Sequence, residues 1–277
     1  MNDVERSAGN SMAAAHTYAG MIDSHCHLEQ KETFFGRDML IADCRAAGMS
    51  ALVTVCARPQ DLPLALDIAG KNKGFVFAAA GIHPLESVST TNSEKDIDSY
   101  IESIKEHRSE LKAIGEIGLD DVLVKEPWKR QRSRDVFMQF VELAGELRLP
   151  IVIHCREAYP ETMKKLSDLG VKKVVFHYFN QPDFVSDIAD QGWHISLPMT
   201  LAMSSARKLS EMLRKSEEKM VDVMVETDSP IELSGGRRIT PMDVGLIVGA
   251  IAKEKKEQPE LVSAKTARAA SEFFSLF

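Results

Sequence analysis

Short apolar runs recur along the chain, with longer amphipathic stretches between them. Residues 21–23, 51–55, 75–80, 113–116, 151–154, 174–177, 194–197 and 223–226 are rich in Val, Ile, Phe or Ala and too short for helices, so they read as strands. The stretches 37–47, 97–111, 129–147 and 201–215 between them read as helices. Gly48, Gly170 and Gly192 stand where a helix would stop and the chain would turn into the next strand. The strand candidates are apolar enough to be covered on both faces, as in a parallel sheet flanked by helices. About eight such β/α repeats predict an α/β fold, a closed (β/α)8 TIM barrel. A doubly wound open sheet has the same local patterning and stays open as the alternative. The last stretch, 261–277, closes on Phe273-Phe274 and reads as a helix packing its aromatics against the barrel.

Size fits that reading. The chain has 277 residues, 44% of them hydrophobic, and chains of roughly 250 residues with regular strand–helix alternation commonly form one barrel. The expected organisation is a single barrel domain over residues 21–277 behind a flexible tail, residues 1–20. That tail, with His16, mixes Asn, Ser, Ala, Glu and Arg without a continuous apolar core, unlike a secretory signal. No apolar run approaches the roughly 18 residues that span a bilayer, so a soluble protein is expected. Cys26, Cys44, Cys56 and Cys155 form no Cys-x-x-Cys pair, and free thiols fit a reducing cytoplasm. The net charge of −7 argues against a passive nucleic-acid-binding module, which is usually basic. It leaves room for an enzyme in which bound cations neutralise a phosphate locally.

The polar residues that interrupt the pattern fall at the strand ends, which in a parallel barrel open onto one face. His25 and His27, two apart in extended backbone just past the first strand, point the same way and make half a ligand set. His83 follows the third strand, Glu116 interrupts the fourth, His154 and Arg156 end the fifth, His177 ends the sixth and Asp228 follows the eighth. Singly, each has a structural account: a salt-bridged Glu116, hydrogen-bonded His154 and His177, an N-capping Asp228. Together, His25, His27, His154, His177, Glu116 and Asp228 form a set suited to one or two divalent cations. A carboxylate such as Glu116 can give one oxygen to each ion. His107 lies in a charged run that reads as solvated helix, and His194 beside Trp193 reads as structural or pocket-lining. The basic helix start Lys129, Arg130, Arg132 and Arg134 is either a solvated face or a device that steers a polyanion.

The series Asp23-Ser-His-Cys-His-Leu28, Gly81-Ile-His-Pro84, Ile114-Gly-Glu-Ile-Gly-Leu-Asp120, His154-Cys-Arg-Glu-Ala158 and Glu226-Thr-Asp-Ser-Pro230 resembles the TatD family. That family comprises metal-dependent deoxyribonucleases built on an amidohydrolase-type TIM barrel. The resemblance implies one ion held by His25, His27, Glu116 and Asp228, and a second by Glu116, His154 and His177. It also implies one to two divalent ions (Mg, Mn or Zn), DNA or another phosphodiester as substrate, and His83 and Arg156 facing the substrate phosphate. Two such ions can lower the pKa of a water and clamp an in-line displacement, with Asp228 placed to accept the water's proton. Three loops depart from the family pattern: Asp121 where Tyr is usual, Tyr178-Phe179-Asn180-Gln181 in place of Cys-Phe-Ser-Gly, and residues 235–241 after Pro230. Two other readings compete. A sister amidohydrolase would cleave a C–N or lactone bond, although many such enzymes bridge their metals with a carboxylated lysine where this chain has Glu116. A non-catalytic scaffold would have no need of the ligand set.

Overall fold

The computed structural model describes residues 19–33, 35–204 and 206–277, the side chain of Ser204 excepted; the tail expectation for residues 1–18 lies outside them. Eight parallel strands pair in sequence order: β1 Ile22–Cys26, β2 Ala51–Cys56, β3 Val76–Ala80, β4 Leu111–Asp120, β5 Ile151–Arg156, β6 Val174–Phe176, β7 His194–Pro198 and β8 Val223–Glu226. The sheet closes on itself between β8 and β1. Cys26 bridges Ser229, the His27 N–H donates to the Ser229 carbonyl at 2.7 Å, and the Asp228 N–H donates to the His25 carbonyl at 2.9 Å. Buried Asp23 adds to the seam by accepting from the Thr227 N–H and hydroxyl at 3.0 and 2.5 Å. Burial pushes the Asp23 carboxyl well above the ordinary range against these bonds. Closure excludes the open-sheet alternative.

Two strands depart from period-2 pairing, and both carry residues of the candidate ligand set. In β1 the ladder steps from Asp23↔Leu52 to Cys26↔Thr54, and in β4 from Ile114↔Ile151 to Ile117↔Ile153, three residues against two in each case. An extra residue of this kind bends the strand and re-aims a side chain. The first irregularity contains His25 and the second contains Glu116. His25 therefore lies inside β1 rather than past its end, and β4 runs on to Asp120. The glycines flanking Glu116 make this possible: a Cβ on Gly118 would sit 1.9 Å from the His154 carbonyl oxygen, and one on Gly115 2.6 Å from the Val152 Cβ.

The helices differ from expectation mainly at their ends. The one expected over 97–111 is Glu94–Glu106, started by a reciprocal Ser93–Asp96 capping box, and Leu111 opens β4. The one expected over 201–215 is seen as helical residues Met199–Ser204 and Ala206–Glu218. Gly48, Gly170 and Gly192 have φ of 92°, 65° and 71°, the left-handed stop expected of them. The helix Pro259–Phe274 places Ala270, Phe273 and Phe274 against Ile22, Val53, Val152, Val175 and Met224 from the strands, closing the floor of the barrel. Among the described residues no helix is long and apolar enough to cross a membrane.

Candidate metal centre

At the opposite end the strands deliver a cluster of buried ionisable groups. Asp228 Oδ1 lies 3.2 Å from His27 Nε2 and 3.6 Å from His25 Nε2. Glu116 stands between this trio and a second group: its Oε1 is 3.8 Å from His27 Nε2, while its Oε2 is 2.8 Å from His177 Nε2 and 3.3 Å from His154 Nδ1. His25 stacks on His177 with ring centroids 4.0 Å apart. Three sets can each offer converging atoms to a cation: His25, His27 and Asp228; His25, Glu116 and His177; His83, Glu116 and His154. His25 gives the sharpest test of fit. It is buried, yet neither ring nitrogen has a hydrogen-bond partner. An orphaned imidazole is costly unless it serves as a ligand, so the donor set fits divalent metal.

Acceptors behind the rings fix which nitrogen faces inward. His27 Nδ1 is 2.7 Å from the Val55 carbonyl oxygen, His154 Nε2 is 3.0 Å from Asp120 Oδ2, and His177 Nδ1 is 3.4 Å from Glu226 Oε1. With a cation at the centre, the acceptors behind His27 and His154 would take the ring proton at the rear and free the opposite nitrogen for the ion, while His177 Nδ1 makes no hydrogen bond to Glu226. Asp120 is itself locked by the Val122 and Leu123 N–H groups at 3.0 and 2.8 Å. Sequence reasoning gave no role to Asp120 or Glu226, although both stand in the quoted motifs. Their signal is a charged residue at a strand's buried end. Burial raises the Glu226 carboxyl despite its contacts with His177. Glu116 goes the other way: against burial, the His177 charge and hydrogen bonds from His154 and His177 hold it well below the usual carboxylate range.

His83 is different in kind. Its Nδ1 accepts from the Leu85 N–H at 3.1 Å, which leaves Nε2 to carry the proton of the neutral ring and makes it a donor rather than a ligand. Burial lowers its pKa to about 4, so the ring is neutral at pH 7. His83, Arg156, Tyr178 and Asp228 line a cleft of about 660 Å³ over the cluster. Arg156 is half exposed, and its partner is Asp120, with Nη1 3.7 Å from Oδ2, rather than Glu157 or Asp228.

Other polar residues turn out to be structural. His194 does not line the cleft; it lies at the floor against Phe273, ring centroids 5.1 Å apart. His107 closes a helix by bonding the Ser103 carbonyl oxygen at 2.8 Å. The basic run is engaged throughout. Lys129 pairs with Glu126, Arg130 holds the Asp121 and Val124 carbonyls, Arg132 holds those of Ser87 and Asn92, and Arg134 grips Glu161 with two bonds. These contacts favour a bracing role over the steering alternative.

A closed parallel barrel with histidines and carboxylates gathered at its mouth has the make-up of a metal-dependent hydrolase. The sequence profile of the family described as TatD related DNase matches residues 22–275. A deoxyribonuclease TATDN3 of Homo sapiens is 28% identical over 221 residues, covering 76% of this chain and 78% of the relative. An uncharacterized metal-dependent hydrolase of Methanocaldococcus jannaschii is 31% identical over 246 residues, covering 87% of this chain and 91% of the relative. The crystal structure of a TatD family hydrolase from Entamoeba histolytica superposes with a TM-score of 0.78 at 19% identity, over 92% of this chain and 98% of that one. The chain belongs to the TatD related DNase family and is a metal-dependent hydrolase of phosphodiester bonds.

Proposed function

We propose that this chain hydrolyses DNA with divalent metal held by two groups of residues, to both of which Glu116 would contribute. The division of the Glu116 carboxylate carries the reading: Oε1 faces His27, and Oε2 faces His154 and His177. The first site is then His25, His27, Asp228 and Glu116, and the second Glu116, His154 and His177. Four imidazoles against two carboxylates favour Zn²⁺ over Mg²⁺ or Mn²⁺. The bound ions supply Lewis acidity and neutralise charge on the phosphoryl group.

The chain's own residues supply the rest. Asp228, at the cleft with its Oδ1 toward His25 and His27, accepts the proton of the attacking water on its free oxygen. His83 donates from Nε2 to a phosphoryl oxygen, and Arg156 adds a fixed positive charge beside it. Such a cation acts where charge develops in the transition state. Arg156→Ala is expected to lower kcat on a DNA oligonucleotide about a hundredfold with metal content unchanged. Unchanged cleavage would remove Arg156 from the site. Hydrolysis of amides or lactones, without cleavage of any phosphodiester by the metal-loaded wild type, would replace the nuclease reading with the amidohydrolase one.

A further inference from the structure

The two walls of the cleft differ in chemistry. Arg156, at the end of β5, and Tyr178, Asn180 and Gln181, from the loop after β6, present charged and polar groups. The loops after β3 and β4 instead turn large apolar side chains to solvent: Leu85 is 40% exposed, Val122 37%, Leu123 45% and Trp128 62%. Leu85 and Val122 line the cleft itself; Leu123 follows Val122 in the chain, and Trp128 lies in the first turn of the helix that follows the same loop, Pro127–Leu147. Exposed apolar side chains gathered on the loops beside a site point to a binding face.

The surface is rigidly built. Asp120 Oδ1 holds the Val122 and Leu123 amides, and the Arg130 guanidinium binds the Asp121 and Val124 carbonyls. Arg132, from the helix that carries Trp128, donates to the Ser87 carbonyl at 2.8 Å and so clamps the short helix Pro84–Ser87 that carries Leu85. Both loops are therefore held with their apolar side chains outward. This ordering suits a surface that must present rings and methyl groups at a fixed distance from the metal cluster.

We propose that Trp128 stacks on a nucleobase and Leu85, Val122 and Leu123 pack against neighbouring bases while the polar wall holds the phosphates of the same strand. The inference rests on the deoxyribonuclease reading and adds the base-binding subsite. Every base has a π-face, so such a wall binds without regard to sequence, and it accepts only bases not already stacked inside a duplex. The Lys129 ammonium, paired with Glu126, lies over the Trp128 indole 5.5 Å from the ring centroid, which leaves the opposite face for a base.

The experiment measures binding of metal-loaded wild type, Trp128→Ala, Trp128→Phe and Leu123→Ala to fluorescein-labelled (dT)8 with uncleavable linkages. An abasic octamer of the same charge and turnover of bis(p-nitrophenyl) phosphate serve as references. The expected result is a Kd for (dT)8 raised about fivefold to a hundredfold by Trp128→Ala. Trp128→Phe should be nearly neutral and Leu123→Ala intermediate, with abasic binding and phosphodiester turnover unchanged. Wild-type affinity of Trp128→Ala for (dT)8, or an equal loss on the abasic octamer, would overturn the stacking wall and leave the nuclease reading standing. Failure of metal-loaded wild type to bind or cleave any DNA would overturn both.

Discussion

The two ends of the barrel are buried to the same degree and built from opposite materials. At the floor, Phe273 and Phe274 are 3% and 2% exposed among aliphatic side chains. At the mouth, His25 and Glu226 are 0% exposed and Glu116 4%. Burial of a phenyl ring lowers the free energy of the fold, while burial of an ionisable group raises it unless partners or ligands compensate. The mouth compensates only in part: Glu116 is held ionised by its histidines, Glu226 is driven toward its neutral form, and His25 has no hydrogen-bond partner. The floor thus carries stability, and the mouth holds side chains whose arrangement becomes favourable on binding cations.

The comparison predicts that the largest effect comes from Glu116. Glu116→Gln keeps the side chain's shape and removes the charge facing both groups of histidines. DNA cleavage should fall at least about a thousandfold and bound metal below half the wild-type content, with the far-ultraviolet circular dichroism of the barrel retained. Full metal occupancy in the variant would make Glu116 a structural carboxylate and erase the contrast between the two ends.

The next effect lies at the floor and moves the other quantity. Phe274→Ala removes a ring from the packed plug under the barrel, at a cost of about 3–5 kcal/mol of unfolding free energy. Urea denaturation should show the loss, while metal stoichiometry measured well below Tm stays at the wild-type value. A variant that lost metal without losing stability would show that the two ends do not divide the work in this way.

The strand–helix rhythm, the C-terminal aromatic plug and the residues of the mouth are all legible in the sequence, because a buried parallel strand reads as an apolar run and a charged residue at its end stands out. The irregularities within β1 and β4 are not. Period-2 reasoning has no place for an extra residue, and Gly115 and Gly118 read locally as strand breakers, although β5 passes too close for any Cβ there. The acceptors behind the rings escape for another reason. Asp120 serves His154 from 34 residues away, and Glu226 serves His177 from 49 residues away, each on a neighbouring or nearby strand. Such pairings belong to the closed barrel rather than to any window of sequence.

The smallest predicted effect tests an expectation that the sequence left open, the basic helix start. Arg134 is spent on Glu161, with bonds of 2.6 and 2.8 Å from Nε and Nη2 to the two carboxylate oxygens. Both side chains are partly exposed, at 23% and 35%, so solvent screens the pair and its contribution is about 1 kcal/mol or less. Arg134→Ala should therefore lower stability by no more than that amount. A guanidinium that steered DNA would also set part of the salt dependence, because each phosphate contact releases counterions when it forms. With Arg134 turned to Glu161, the slope of log kcat/KM against log salt should be the same in variant and wild type. A slope shallower by about one would mean that Arg134 meets a phosphate after all, and that the cationic surface of the mouth extends beyond Arg156.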